Sequence, residues 1–160
     1  RKPKTPVGLM DIISIPLMKI HMRAMLDDHA RIQFVPIKAT EAKWKLLRVE
    51  GKTTVKGGKT QLNLHDGTNI LSEEKIKTGD VIQVSLPGFK IKKILEFKKG
   101  AQTLITGGAH VGSISKVTGL EVTRSTKPNL VMYKDFQTIK PYSFVVGDKK
   151  AMIALPEVKV

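Results

Sequence analysis

The 160-residue sequence contains no cysteine. Disulfide frameworks, cysteine-ligated zinc sites and thiol chemistry are excluded together, and the composition fits a reducing cytoplasm. Aromatic residues are scarce: one Trp, two Tyr and five Phe. Proteins that hold single strands by stacking need exposed aromatic platforms, so this mode has little to build on. No apolar run approaches the roughly 20 residues of a membrane-spanning helix, and no signal-peptide pattern is visible. Neither a membrane nor a small-molecule substrate is an expected partner. Acidic residues are also short, at 14 against 28 Lys and Arg.

The resulting formal charge is +14. A chain so charged repels itself unless a polyanion neutralises it, and nucleic acid is the usual one. The excess is evenly spread. Residues 1–50 carry 10 basic and 5 acidic side chains, residues 51–100 carry 10 and 5, and residues 101–160 carry 8 and 4. This is not a basic tail on a neutral domain; the folded surface itself must be cationic on several sides. Only five of the cations are Arg, which suits diffuse phosphate neutralisation better than bidentate reading of bases.

Helical periodicity is nearly absent and period-two alternation is widespread. Ile20, Met22, Ala24 and Leu26 alternate with His21, Arg23, Met25 and Asp27, turn formers follow at 28–30, and Ile32, Phe34 and Ile37 return as a hairpin. Thr40 to Lys43 fits one helical turn. Trp44 to Val49 reads as a third strand, and Val55, Leu62, Leu64, Ile70 and Leu71 surround two glycine turns. Asp66-Gly67 suggests a type I′ hairpin turn. Further strands are expected at 81–86, 91–97, 102–106, 112–123, 129–134, 136–140 and 144–147. Short strands at this spacing, punctuated by glycine, indicate small barrels. Trp44, Phe34, Phe97 and Phe144 lie in apolar strand contexts and are expected in the core.

Residues 104–117 read LITGGAHVGSISKV. A strand runs into Thr106-Gly107-Gly108, crosses Ala109, His110 and Val111, and re-enters a strand at Gly112. Glycines leave amide groups bare, so a phosphate or base edge can approach. Ile114 and Val117 are three apart, which breaks alternation and suggests a β-bulge. The segment resembles a KOW motif, which implies a five-stranded SH3-like barrel that binds RNA or the transcription and translation machinery; an ordinary glycine hairpin is the plainer reading.

Gly57-Gly58-Lys59-Thr60 ends like a nucleotide-binding P-loop, but the required earlier glycine is replaced by Thr53, and Leu62 and Leu64 alternate as in a strand rather than a helix. A hairpin tip presenting Lys56 and Lys59 to RNA, or simply to solvent, is the better reading. His65-Asp66 lacks the nucleophile and oxyanion site of a catalytic relay, and Asp66 reads as a turn residue. His21, His29 and His110 have no metal-ligand spacing. No catalytic residue, metal or cofactor is expected. Arg124, Lys127 and Lys134 flank a loop that, with Lys116, could form one edge of a positive face.

Three further strings, PVGLMDIISIP at 6–16, TVKGGKTQLNLHDGTNIL at 54–71 and RSTKPNLV at 124–131, occur in order with the 104–117 segment before the last. Together they resemble the S-four-e family of small-subunit ribosomal proteins, over essentially the whole chain. The Gly-Gly-Lys at 57–59 and the short tail are similar to the archaeal branch. The resemblance implies an S4-like RNA-binding domain, a central β-domain and a KOW domain, with the first almost wholly outside this sequence, which begins at Arg1.

The expected fold is therefore all-β: residues 1–16 a connector, 17–92 a central β-domain, 93–150 a KOW SH3-like barrel and 151–160 a tail. The expected function is a scaffold of the small ribosomal subunit in the cytoplasm. Its partners are ribosomal RNA and neighbouring ribosomal proteins. Arg1, Lys2, Lys4, Lys56, Lys59, Gly107, Gly108, His110, Lys116, Arg124 and Lys127 are the candidate RNA-binding residues. A KOW-bearing transcription elongation factor is the alternative.

Overall fold

A computed structural model describes residues 4–124, 126–148 and 150–153, and these are built from antiparallel strands with three single turns of 3-10 helix. Arg1 and Lys2 lie outside the described residues. The first sheet follows the alternation directly. Strands β1 (Ile12–Ile15), β2 (Ile20–Leu26) and β3 (Ile32–Pro36) pair in that order. Ile13 opposes Met22, Ala24 opposes Phe34 and Leu26 opposes Ile32, so these residues share one face. Met25 and Val35 take the other face and pack on the core. Phe34 therefore points outward and is 46 % exposed, contrary to its expected core position: strand parity gives the interior to Val35, its neighbour. Of the other three aromatics, Phe144 is buried, while Trp44 and Phe97 are half-buried against the same core.

The helical turn expected at 40–43 forms at Glu41–Lys43. It leads into β4 (Trp44–Thr54), the longest strand. The first half of β4 pairs with β7 (Val81–Ser85). After a register shift between Val49 and Gly51, its second half pairs with β5 (Thr60–Leu64). With β6 (Asn69–Ser72) and β8 (Ile91–Leu95) this makes a five-stranded sheet ordered β6-β5-β4-β7-β8. Leu47, Val49, Leu62, Leu64, Ile76, Ile82 and Val84 form the core beneath it. The β5–β6 hairpin forms at Asp66-Gly67, but not through a type I′ turn. Only Gly67 has positive φ, at 81°. Leu64 accepts from the Gly67 N–H and donates to Thr68 O, which makes a three-residue loop with the glycine in the left-handed position.

The C-terminal strands form two three-stranded sheets, β10-β9-β14 and β11-β12-β13. They comprise β9 (Gln102–Ile105), β10 (Ile114–Lys116), β11 (Gly119–Glu121), β12 (Leu130–Met132), β13 (Gln137–Ile139) and β14 (Ser143–Gly147). The segment 112–123 is thus two strands in different sheets. No register shift falls between Ile114 and Val117. Ile114 packs on one core, while Val117 joins Ile105, Val131 and Tyr133 in another. Their three-residue spacing marks a change of sheet, made where Val117 bonds to Ala101 and Thr118 to Met132.

One core crosses position 92. Met10, Met25, Leu46, Val81 and Leu95 pack with Ala101, Leu104, Phe144, Val145 and Ile153. Met10 lies just before β1, and Ile153 lies beyond β14, where Met152 N–H donates to Val146 O. Polar ties reinforce this seam. Lys140 Nζ donates to Thr78 O at 2.8 Å, Arg48 Nη1 donates to the Pro141 carbonyl, and the His65 ring meets Phe144 edge-on at 5.3 Å.

Candidate nucleic-acid interface

Two hairpin ends carry the glycine-rich segments. The β4–β5 hairpin closes where Val55 N–H donates to Lys59 O at 2.9 Å. Gly57 and Gly58 hold φ of 87° and 74°, values that only glycine adopts without strain. Nothing lies within 4 Å of a Cβ built on either. The tip therefore projects into open space with Lys56 and Lys59 exposed on it. Lys59 Nζ lies 3.4 Å from Glu73, but both side chains are more than half exposed, so solvent screens that pair. Thr60 opens strand β5 directly, as the alternation of Leu62 and Leu64 requires.

The second end is the 106–113 loop between β9 and β10. Gly112 N–H donates to Ile105 O at 2.8 Å, and Ser113 Oγ donates to His110 O at 2.6 Å, closing it. Its glycines are not uniformly bare. A Cβ on Gly107 would sit 3.0 Å from the Tyr142 ring, and one on Gly112 would sit 2.5 Å from the Asp27 carbonyl carbon. Gly108 meets only Tyr142, at 3.8 Å. The expectation of exposed amides survives in the middle of the loop. Among the described residues, the N–H groups of Gly107, Gly108, Ala109 and His110 donate to no protein acceptor. Residues 108–110 are exposed.

The remaining candidates are spread rather than gathered. Lys116 is exposed at the far end of β10 from the loop, beside Gly100, whose N–H donates to Val117 O. Arg124 and Lys127 are exposed in the 122–129 loop. Thr123 closes that loop by donating through Oγ1 to Lys127 O and through its amide to Asn129 Oδ1. Pro128 and Asn129 line an open cleft with Arg48, Gly79 and Lys140. Lys4 is exposed ahead of β1. The structure thus offers cationic sites on several sides, as the even charge distribution anticipates. Lys56, Lys90, Lys92, Lys116 and Lys134 are all exposed, with no carboxylate partner among the described residues.

Other cations are committed inside the fold. Lys45 is buried between Asp66, at 2.7 Å, and Asp11, at 3.2 Å. Burial alone would raise the Asp66 carboxyl, but Lys45 and Thr68 outweigh it and hold it below the usual range. Arg23 is 1 % exposed and donates to the carbonyls of Glu41 and Trp44, with its guanidinium 4.4 Å above the Trp44 ring. Burial lowers its pKa from the ordinary guanidinium value. His65 accepts the Arg48 N–H at Nδ1, which leaves Nε2–H to donate to Leu9 O, and burial lowers its pKa. With both ring nitrogens engaged, it is a structural residue.

One group of possible metal ligands occurs among the described residues: Asp27, Asp28 and His29. Asp27 already accepts from the amides of Arg31 and His29 and from Gln33. Asp28 is taken by the His29 ring at 2.6 Å. These contacts account for the cluster.

Sequence reasoning missed Phe136 and Tyr142. The His110 ring stacks on Phe136 at 4.1 Å, and Phe136 stacks on Tyr133 at 4.8 Å. Tyr142 covers Gly107. Both aromatics come from strand connections distant in sequence, and nothing in local spacing signals the contact.

A family model described as ribosomal family S4e matches residues 18–91, the segment holding β2 to β7 and the start of β8. The small ribosomal subunit protein eS4 of Methanocaldococcus jannaschii is 38% identical over 97% of this chain and 68% of its own length. The chain belongs to the S4e family. Another relative, the eS4 protein of Methanothermobacter thermautotrophicus, is 42% identical over 96% of this chain and 65% of its own length. The chain thus spans a little under two thirds of that relative. The crystal structure of the 30S ribosomal protein S4e from Thermoplasma acidophilum superimposes with a TM-score of 0.82 at 32% identity, covering 92% of this chain and 76% of that one. The S4e relationship reaches past the matched segment into the C-terminal sheets, since these alignments cover nearly all of the chain.

Proposed function

We propose that this S4e chain is a structural constituent of the small ribosomal subunit, pinning folded ribosomal RNA through cationic loops and contacting neighbouring ribosomal proteins. The observation that carries this reading is the 42% identity to an eS4 protein across 96% of the chain. The charge agrees with it: 28 Lys and Arg against 14 Asp and Glu, with lysines standing unpaired on loops from both ends of the chain. Phosphates supply the anions that such a surface lacks. A lysine-rich exterior recognises the backbone and shape of folded RNA more than base sequence. No residue is assigned a catalytic role.

The finer division belongs to the same proposal: residues 17–92 as the central β-domain and 93–150 as the KOW barrel, with the 106–113 loop as its RNA-facing turn. Lys4, Lys56, Lys59, Gly107, Gly108, His110, Lys116, Arg124 and Lys127 are its contact candidates within the described residues.

The test is filter binding of the chain to small-subunit ribosomal RNA over a range of salt. If about five phosphates are neutralised, log K falls against log salt with a slope of about −4. An affinity indifferent to salt would contradict the mechanism. Sedimentation of the cellular protein with RNA polymerase instead of small subunits would overturn the assignment.

A further inference from the structure

His110 is the outermost member of a three-ring column. Its ring lies 4.1 Å from Phe136 with planes 24° apart, and Phe136 lies 4.8 Å from Tyr133 with planes 22° apart. The column is rooted in the core. Tyr133 is 6 % exposed, its hydroxyl donates to Ser143 Oγ at 2.9 Å, and it bonds Thr103 Oγ1 at 2.8 Å. Thr103 Oγ1 lies within reach of Ser115 O, on the strand beside it. The buried Tyr133 hydroxyl is pushed above its usual pKa by desolvation, so it stays a neutral donor.

At the surface the arrangement differs. His110 is exposed, and neither ring nitrogen has a partner among the described residues. Its backbone is nevertheless fixed, because Ser113 Oγ and Ser113 N–H both donate to His110 O. Phe136 occupies one face of the imidazole, which leaves the other face as a flat, pre-oriented surface. An isolated exposed histidine would lose rotamer freedom on binding; one already held against a ring loses less. The same loop presents the four unpartnered N–H groups of residues 107–110, and consecutive free amides favour an anion. A flat π-surface beside anion-seeking donors matches the two halves of a nucleotide.

We propose that the outer face of His110 receives a single unstacked nucleobase of RNA, while the N–H groups of Gly107 to His110 take an adjoining phosphate. The chemical class is an unpaired nucleotide in a loop or bulge, since a base inside a duplex has no free face. Lys134 and Asp135 are both exposed on the turn that carries Phe136, so that turn adds no net charge of its own. The site rests on the RNA-binding reading above and adds to it one position of base stacking in an otherwise backbone-directed surface.

The experiment titrates the whole chain with two probes: a short single-stranded RNA carrying one 2-aminopurine, followed by its fluorescence, and a blunt RNA duplex, followed by filter retention. Wild-type protein quenches the 2-aminopurine. His110→Ala weakens single-strand binding by about 5- to 100-fold, the range expected for one lost stacking contact, and weakens duplex binding by a smaller factor. His110→Tyr keeps a ring in place and restores both quenching and affinity. If His110→Ala changes neither quenching nor single-strand affinity, or weakens both probes equally, the stacking site is overturned while RNA binding stands. If the wild-type chain binds neither probe, the RNA-binding reading falls and the site falls with it.

Discussion

The Gly57-Gly58 tip and the Gly107–Gly112 loop look alike in sequence and serve opposite purposes. At the tip, glycine supplies positive φ and nothing else; a side chain there would enter solvent. In the 106–113 loop, glycine supplies space. Gly107 admits the Tyr142 ring, and Gly112 admits the backbone of Asp27 and Asp28 from the β2–β3 turn. The second loop is therefore a junction between the two halves of the chain as well as a surface feature. One glycine-rich string ends in a free projection, the other in a docked one, and only tertiary contact separates them.

Replacing Gly112 by Ala tests this difference with the largest effect. Its φ is 80°, and the new Cβ would lie 2.5 Å from the Asp27 carbonyl carbon. Left-handed strain and overpacking each cost about 1–3 kcal/mol. Urea denaturation should show a loss of about 4 kcal/mol, and a loss of only about 1 kcal/mol, that of left-handed strain alone, would show that the β2–β3 turn simply moves aside.

Asp27 supplies the other side of that junction. Its carboxylate accepts from the Arg31 amide, the strongest influence lowering its pKa, and from the His29 amide and Gln33. The folded pKa is therefore depressed below the ordinary carboxylate value. The associated stability is present above that ordinary value and is lost as pH falls through the folded one. Thermal unfolding followed downward from neutral pH should show wild-type stability falling in the acid range. Asp27→Asn should start lower at neutral pH and show a shallower acid dependence. Parallel curves for the two proteins would remove Asp27 from the account.

Gly58→Ala is the counterpart to Gly112→Ala and should cost about 1 kcal/mol, the strain of a left-handed alanine alone. The difference between the two substitutions measures the contact with Asp27 directly. Equal losses in the urea midpoint would erase the distinction between the free tip and the docked loop.

This contrast also explains what could be read from the chain. Strand positions followed from local pattern: Ile20 to Leu26 alternates, Val81 to Ser85 is an apolar run before Pro87-Gly88, and both are strands. Parity also places Phe34 and Ile32 on one face, but cannot say which face is covered, so Phe34 was expected inside. A turn can be recognised from Asp66-Gly67, whereas its type depends on Leu64 and Thr68 closing a longer loop. Candidate lysines were visible as residue types. Their grouping was not, because β10 separates Lys116 from the loop that carries His110, and Phe136 reaches His110 from the β12–β13 turn. Local pattern carries local structure; the docking of Gly112 and the ring column arise between segments far apart in sequence.

The smallest effect concerns the free tip. Lys56 and Lys59 are exposed beside glycines that touch nothing, so replacing either by Ala should leave the unfolding midpoint in place, as expected for surface changes within about 0.5 kcal/mol. Lys59 loses only a solvent-screened pair with Glu73. The consequence should appear in RNA binding instead. Each lysine that neutralises one phosphate contributes about −0.9 to the slope of log K against log salt. The double variant should therefore flatten that slope by up to about 1.8 and weaken binding to all RNA sequences alike. An unchanged slope would mean that this projection faces solvent on the subunit, leaving the docked loop and the other lysines to carry the contact.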